Sequence, residues 1–419
     1  MPLPRGSRRT RPPAPLRGLP PGFGVLWSTV ALDLVGFGIV IPLLPLYARR
    51  LGAGPAAVGI LLAAFSAAQL LGAPLLGRLS DRVGRKPVLV VSLVGTALGS
   101  LLTGVAGSLW LLIVARVVDG ASGGSVAVAQ AAAADLVPGG ERTRAFGLLG
   151  AAYGVGFVIG PALGGLAALG GARLPFFVAA AVAGANAAVA TRRLRETRRP
   201  EPAPVPGPAR PLADIGRALQ AAAAPVAVTM LAVVAFSAFE VSFPLFGHRR
   251  LGLGLAGVGA VFALVGLVAA AVQGGLVHRV VARVGEAGCV RVGMAAEGAG
   301  LALLAVVHTR LELVAPLVLV TAGQGLCTPA LNALVAARAD PDGRGSALGS
   351  QQGCAAAARV VGPVLGGVAV AVFGVGAGFV AGAVVLGLAL ALALPMRGAG
   401  QESPRVVADR APHRLPLSN

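Results

Sequence analysis

The sequence is poor in the charged and aromatic residues that soluble domains carry. Of its 419 residues, 12% are charged, 4% are aromatic and 56% are hydrophobic, and the mean hydropathy is +0.82. Because a soluble domain has about 25% charged residues, this composition excludes a soluble globular protein. Apolar runs of about 20 residues recur instead, and that length crosses the hydrocarbon core of a bilayer. The sequence predicts an all-α integral membrane protein.

Residues that bind metals or form disulfides are also scarce. The three cysteines, Cys289, Cys327 and Cys354, have no CxxC spacing, and the four histidines lie in or beside predicted loops. Neither pattern indicates a disulfide framework or a zinc site. The sequence also lacks a Walker-type phosphate loop and a Ser/His/Asp constellation. We therefore expect no metal, no cofactor and no enzymatic activity. If the chain transports a substrate, the energy source is an ion gradient or the substrate's own gradient.

Lysine occurs once, at Lys86, and the net charge of +19 comes from arginine. In a soluble protein this charge would favour nucleic acid as a partner. Here the arginines lie in short gaps between apolar runs, as the positive-inside rule predicts for a membrane protein. We expect the lipid bilayer, and no nucleic acid, as the partner of this chain.

Hydropathy predicts twelve membrane-spanning helices in two groups of six. The first group is near 22–47, 57–79, 88–108, 109–134, 145–168 and 174–191. The second group is near 225–247, 256–277, 288–307, 311–337, 347–372 and 374–395. The predicted organisation is a disordered cytoplasmic arm at 1–21, a six-helix bundle at 22–194, a cytoplasmic linker at 195–222, a second bundle at 223–396 and a cytoplasmic tail at 397–419.

The basic residues are distributed unequally between the two sides of the predicted membrane. Arg116 and Arg359 lie inside predicted helices, and one side holds most of the other basic residues. The opposite side holds six, namely Arg49, Arg50, Arg173, Arg249, Arg250 and Arg310. The rule that basic loops stay inside places both termini in the cytoplasm. Because the usage of Ala, Gly and Arg is typical of a GC-rich bacterial genome, we expect a multi-pass protein of a bacterial cytoplasmic membrane.

The two halves are copies of one another. PLYARRLGAGPAAVG, from Pro45, returns as PLFGHRRLGLGLAGVG, from Pro244, and GPALGG at Gly160 returns as GPVLGG at Gly362. Two such matches at nearly the same offset indicate a parallel repeat of six plus six helices. A repeat of this kind forms a cavity between two bundles that can rock against each other. It favours a transporter over a channel or a membrane enzyme.

Two glycine-containing segments can bring backbones close together. The predicted loop at 77–87 reads GRLSDRVGRKP, and its glycines and charges are Gly77, Asp81, Arg82, Gly84, Arg85 and Lys86. It can form a charge cluster, or it can simply be a basic loop. The fifth predicted helix contains GFVIGPALGG, with Gly156, Gly160, Pro161, Gly164 and Gly165. Its glycines line one helix face and Pro161 bends the helix, although tight packing alone also explains such a face.

Ionisable residues inside the predicted spans are candidates for binding protons or cations. A charged carboxylate at the membrane centre costs about 2.5–3.5 kcal/mol, so such residues face the bundle interior. Asp33 lies deep in the first helix, which favours a site for a proton or a cation. Alternatively, Asp33 pairs with a neighbouring residue near the membrane interface. Glu240 is predicted to face the same cavity from the seventh helix. Glu297 lies in the ninth helix, and Arg359, in the eleventh, could face Glu240.

Arg116 and Asp119 lie three residues apart in the fourth predicted helix, within WLLIVARVVDGASGG. This spacing places the two side chains on one face of the helix, where they can neutralise each other. Two interpretations stay open. The pair is either a simple ion pair or an arginine that tunes a titrating Asp119.

These motifs resemble those of the major facilitator superfamily over the range 22–396. The segment 77–87 is similar to the family signature G-x-L-x-D-R-x-G-R-K, and GFVIGPALGG resembles its antiporter motif, G-x-x-x-G-P-x-x-G-G. LDLVGFGIVIPLLP, around Asp33, resembles the first-helix signature of drug:proton antiporters. Arg116 and Gly120 match the motif R-x-x-Q-G, with Asp119 in place of glutamine. The region of helices 4 and 5 is most similar to the tetracycline-efflux and multidrug branch.

The resemblance implies a major facilitator fold and a monomer with a central cavity that binds a small molecule. It implies that Asp81 and the arginines near it latch the two halves in the outward-facing state. The aromatic residues expected to line the cavity are Tyr153, Phe157, Phe236, Phe239 and Phe243. The implied function is proton-coupled export of drugs or other small amphipathic molecules, with Asp33, Arg116, Asp119 and Glu240 as coupling residues. A proton-coupled uptake symporter is the alternative, and a membrane sensor or scaffold that transports nothing is a third.

Overall fold

The computed structural model describes residues 19–137, 141–198, 223–338 and 344–396, and these residues are helical with no strand among them. The first half contains α1 (Phe23–Arg50), α2 (Pro55–Val83), α3 (Arg85–Val105), α4 (Leu109–Ser122), α5 (Ser125–Leu136), α6 (Arg142–Ala167) and α7 (Leu174–Arg193). The second contains α8 (Ala223–Leu251), α9 (Leu255–Ala271), α10 (Val277–Val306), α11 (Val314–Arg338), α12 (Arg344–Phe373) and α13 (Ala377–Ala393). The predicted tail, and most of the predicted arm and linker, lie outside the described residues.

The described chain has ten helical segments that are long and apolar enough to cross a bilayer, which confirms the all-α membrane class. One of them, Leu255–Val306, has 52 residues, and that is long enough to cross twice. Gly285 has φ 70° and ψ 175° within this segment, so the chain kinks there. α13 is a further apolar helix of 17 residues. The count of twelve spans and the cytoplasmic position of both termini stay predictions.

α1 and α6 pack backbone against backbone through their glycines. A Cβ atom added at Gly160 would lie 2.7 Å from the Gly38 Cα atom, and one added at Gly156 would lie 2.6 Å from the Leu34 Cβ atom. Only glycine leaves room for so close an approach. Gly156, Gly160 and Gly164 of the fifth predicted helix therefore contact the first helix of the same half, whereas Gly165, predicted to lie on the same face, contacts α9 of the other half.

The two halves contact each other where α2 meets α12 and where α6 meets α9. A Cβ atom at Gly59 would lie 2.4 Å from the Pro363 carbonyl oxygen, and one at Gly266 would lie 2.1 Å from the Phe157 carbonyl oxygen. Gly165 and Gly259 are in similarly close contact. Most of these positions are near the loops at 51–54 and 252–254. We call this end of the molecule the short-loop end.

The α1–α6 contact predicts opposite effects for the same substitution at two glycines of α6. Gly160→Ala should lower the free energy of unfolding by about 1–3 kcal/mol, because the added methyl group overlaps the α1 backbone. Gly154→Ala is the matched control, since a Cβ atom there meets nothing within 4 Å. It should be neutral or stabilising by up to about 1 kcal/mol, because alanine favours the helix. Apparent melting temperatures in detergent measure both effects, and equal values would contradict the packing argument.

Candidate functional site

Asp33 lies on α1, half-buried, and one of its carboxylate oxygens is bound by a serine. The Ser125 hydroxyl donates a hydrogen bond to Asp33 Oδ2 at 2.5 Å. The other oxygen, Oδ1, is buried and has no hydrogen-bond partner among the described residues. Asp33 therefore keeps one oxygen for a proton, a water molecule or a cation.

Ser125 reaches Asp33 because the fourth predicted helix is broken. The sequence predicts one helix over 109–134, whereas α4 ends at Ser122 and α5 begins at Ser125. Gln69 of α2 donates from Nε2 to the Gly123 carbonyl oxygen at 2.9 Å, which satisfies a backbone group at the break. Broken helices inside a membrane are tolerated where protein groups replace the lost backbone bonds. Sequence reasoning missed Ser125 and Gln69, although the glycine pair within a span was the available signal.

Arg116 and Asp119 form a buried ion pair. Arg116 Nη1 lies 2.9 Å from Asp119 Oδ2, and Nη2 donates to the Thr103 hydroxyl at 2.9 Å. The two side chains are almost fully buried. The Arg116 Cζ atom also lies 5.9 Å from the centre of the Phe65 ring, within cation–π distance. Asp119 is close enough to act electrostatically on Asp33, so the pair lies near the acidic site.

Ionisable groups of the two halves are linked electrostatically through Tyr153. Arg359 of α12 interacts electrostatically with Glu240 of α8 and with Tyr153 of α6. Asp33 also acts on Tyr153. Glu240 is half-buried, and Arg359 and Tyr153 are exposed. An acid from each half, an arginine and a tyrosine hydroxyl can together bind protons and polar parts of a cargo.

The aromatic residues predicted to line a cavity fall into two groups. Tyr153, Phe157 and Phe236 retain exposed surface, whereas Phe239 and Phe243 are 1% and 0% exposed. The latter two pack against Phe262 and Phe379 inside the second half. They therefore present no open surface to the space between the halves in this conformation.

Two aromatic residues near Asp33 were missed by sequence reasoning. The Phe37 ring lies 5.6 Å from the Phe65 ring and 6.4 Å from the Phe157 ring. Phe37 is one turn from Asp33 along α1. This aromatic group links α1 to α2 and α6.

Glu297 lies apart from this site. It is fully buried on α10, and neither carboxylate oxygen has a hydrogen-bond partner among the described residues. A Cβ atom at Gly323 of α11 would lie 2.7 Å from the Glu297 Cβ atom, so the two helices touch there. This acid packs between helices of the second half.

The segment 77–87, predicted to be a loop, instead forms the end of α2 and the start of α3, which Gly84 alone separates, and it bonds within the first half. Arg85 Nη1 lies 2.6 Å from Asp81 Oδ1, and Arg85 Nε lies 2.9 Å from Asp135 Oδ2 at the end of α5. Arg82 and Lys86 keep exposed surface. Sequence reasoning missed Asp135, which is 50 residues from Arg85.

Glu196 binds the start of α3 and is a second partner that sequence reasoning missed. Its carboxylate accepts hydrogen bonds from the backbone N–H groups of Arg85 at 2.9 Å and Lys86 at 3.1 Å. Gly84 has φ 113°, and a Cβ atom there would lie 2.6 Å from Glu196 Oε2. Glu196 was placed in the predicted linker, but it belongs to the surface of the first bundle. Partial burial raises the pKa of Glu196, and its backbone N–H partners more than offset this, so the pKa is lowered.

Comparison with known proteins gives consistent matches over most of the chain. The family model of the Major Facilitator Superfamily matches residues 26–294 and 278–418. The class C tetracycline resistance protein of Escherichia coli is 33% identical over 347 residues, 81% of this chain and 87% of that protein. Multidrug resistance protein 2 of Bacillus subtilis is 29% identical over 83% of this chain and 88% of that protein.

Solved structures share the fold. A bacterial homologue of the human lysosomal transporter Spinster, in an inward-facing and unoccupied conformation, has a TM-score of 0.74 at 16% identity. The match covers 88% of this chain and 95% of that one. The human organic anion transporter MFSD10 has a TM-score of 0.66 at 24% identity, over 91% of this chain and all of that one.

The Glu196 contacts predict a pH-dependent contribution to stability. Because the pKa of Glu196 is lower in the folded state, its contribution is complete above the unfolded value of about 4.3. The contribution is lost as pH falls through the folded value. Glu196→Gln should therefore lower the melting temperature at pH 7, and the difference from the parent should shrink below about pH 4. Melting curves at several pH values test this, and a difference that stays constant down to pH 3 would argue against a role for the charge.

The buried ion pair predicts strong coupling between Arg116 and Asp119. Arg116→Gln should destabilise the protein by about 3–5 kcal/mol, because it leaves Asp119 buried and unpaired. Adding Asp119→Asn to that variant should recover most of the loss if the pair is only structural. Melting temperatures of the two single variants and the double variant form the required cycle. If the double variant is stable and still exchanges protons, Asp119 is not a titrating group in transport.

Proposed function

Because this chain belongs to the major facilitator superfamily, whose members are transporters and not enzymes, we propose that it is a proton-coupled exporter of drugs or other small amphipathic molecules. Its tetracycline and multidrug resistance relatives support this proposal. One observation carries it: Asp33 keeps a carboxylate oxygen without a hydrogen-bond partner among the described residues, and it acts on Tyr153, which also interacts with Arg359 of the second half. We propose that protons and a small-molecule cargo are its partners, and that it acts as a monomer.

The exchange of protons for cargo follows from the free-energy cost of an ionised carboxylate in a closed cavity. Protonation of Asp33 removes that cost, and it therefore favours the conformational change that closes the site. A cargo that binds the same or a coupled group competes with the proton. Glu240 is the second candidate for the proton site. The Arg116–Asp119 pair is close enough to Asp33 to influence its exchange of a proton electrostatically.

We propose twelve spans with both termini in the cytoplasm, which places the short-loop end outside the cell. The halves touch at that end, at Gly59 and where Gly165 meets Gly259. The conformation is then closed to the outside and open to the cytoplasm, which agrees with the match to an inward-facing transporter. Asp81 bonds to Arg85 in this state. In the outward-facing state we expect the segment 77–87 to contact the second half.

The decisive experiment uses inverted membrane vesicles with an acidic interior. A pH-sensitive dye reports the gradient while tetracyclines and lipophilic cations are added outside. An exporter moves cargo inward and protons outward, so an effective cargo should collapse the gradient. Asp33→Asn should slow this collapse at least tenfold, because the asparagine side chain carries no exchangeable acidic proton.

Glu312→Gln is the matched control for the loss of an acid, and it should leave the collapse unchanged. Glu312 lies in an exposed loop, where it accepts hydrogen bonds from the His308 N–H group and the Thr309 hydroxyl. Collapse at the normal rate in Asp33→Asn would reject Asp33 as the proton site. A lack of response to every compound, in vesicles shown to contain the protein, would instead favour metabolite uptake or a different class of cargo.

A further inference from the structure

A cavity of about 790 Å³ lies between α12 and α13, near the short-loop end and away from Asp33. Arg250, the last residue but one of α8, is the charged residue of its lining. The rest of the lining is glycine or apolar, and it includes Val368, Phe373, Ala377 and Val380. Phe373 is 82% exposed and Val380 is 50% exposed, so the cavity opens at the apolar surface of the protein. In a membrane, that surface faces lipid.

Contacts within the protein hold the Arg250 guanidinium in place. Nη1 donates to the Ala305 carbonyl oxygen at 2.9 Å, and Nη2 lies 3.3 Å from His308 Nε2. The Cζ atom lies 5.7 Å from the centre of the Phe246 ring. A guanidinium has five N–H donors, and these contacts leave donors for an anion. A planar guanidinium that is already oriented suits the geometry of a phosphate group.

The charge around Arg250 is positive. Arg249 and Arg310 lie near it, and Arg310 donates to the carbonyl oxygens of Leu251 and Gly252. Glu312, the acid of the nearby loop, already accepts hydrogen bonds from His308 and Thr309. An anion is therefore favoured at this end of the cavity.

The two ends of the cavity together match one class of molecule. Arg250 is at the end of a membrane-spanning helix, the level at which lipid phosphates lie, and the apolar wall runs from there along α12 and α13. A free anion would use Arg250 but not the wall, and a hydrocarbon would use the wall but not Arg250. We propose that this cavity binds an anionic phospholipid, with its phosphate at Arg250 and one acyl chain between α12 and α13.

The internal repeat supplies a matched control. Arg50 is the counterpart of Arg250, since Leu51 and Leu251 follow them in the repeated segment. Arg50 is also exposed at the end of its helix, but it is not part of the cavity lining. A general attraction of anionic lipid to arginine should involve both residues. Binding in the cavity should depend on Arg250 alone.

The experiment places a fluorescent reporter at the mouth of the cavity. The chain has two tryptophans, Trp27 and Trp110, and Trp110 is 72% exposed. The full chain with Trp110→Phe and Phe373→Trp is reconstituted into phosphatidylcholine vesicles. Dibrominated phosphatidylglycerol or dibrominated phosphatidylcholine then replaces part of the lipid, and quenching gives the relative affinity. The variant with Trp110→Phe alone gives the Trp27 background.

We expect the reporter to show about a fivefold preference for phosphatidylglycerol, the effect of one arginine contact at a membrane surface. Arg250→Gln should reduce the preference to about one, Arg250→Lys should keep most of it, and Arg50→Gln should leave it unchanged. Equal quenching by the two lipids would overturn the proposal. So would an equal loss in Arg50→Gln, or removal of the preference by millimolar inorganic phosphate. An equal loss in Arg50→Gln would indicate general surface charge. Removal of the preference by inorganic phosphate would indicate a site for free anions.

Discussion

Water is absent from the hydrocarbon core, so a polar group placed there has to find its partner within the protein. This constraint explains the first half of the molecule. Arg116 is tolerated because Asp119 and Thr103 bind it. The backbone break in the fourth span is tolerated because Gln69 binds the Gly123 carbonyl oxygen. Two acids lack a full set of partners among the described residues: Asp33 keeps one unpartnered oxygen, and Glu297 of the second half keeps two. Asp33 keeps exposed surface whereas Glu297 has none, so we expect Asp33 to be the acid that exchanges a proton.

The same constraint determines how the helices approach each other. Helices in lipid gain nothing from hiding apolar side chains, so close packing of small residues holds them together. Gly38 and Gly160 let α1 and α6 touch, and Gly59 lets the two halves touch. The site depends on this packing, since α1 carries Asp33 and α6 carries Tyr153. A bulkier residue at Gly160 would move one of these groups relative to the other.

Sequence predicted the features that are local or periodic, and it missed those that depend on distant residues. Asp33, Glu240 and the Arg116–Asp119 pair stood out because charges are rare in apolar runs. Ser125 and Asp135 did not, since their partners are 92 and 50 residues away. The sequence placed Glu196 in the linker, because the segment around it is as rich in charge as a flexible linker. The burial of Phe239 and Phe243 could not be predicted, since an apolar helix shows no polar face to separate core from cavity.

The distribution of strong and weak contacts indicates how such a molecule can change shape. The ion pairs of Arg85 and Arg116 lie within the first half, so they keep that bundle rigid as a unit. The contacts between the halves at Gly59, Gly165 and Gly266 are close approaches of backbone, which depend on dispersion and have no required direction. Separating the halves at the short-loop end therefore breaks none of these three buried or partly buried ion pairs. The non-directional interface and the rigid bundles together permit the site to open on either side while Asp33 keeps its local partners.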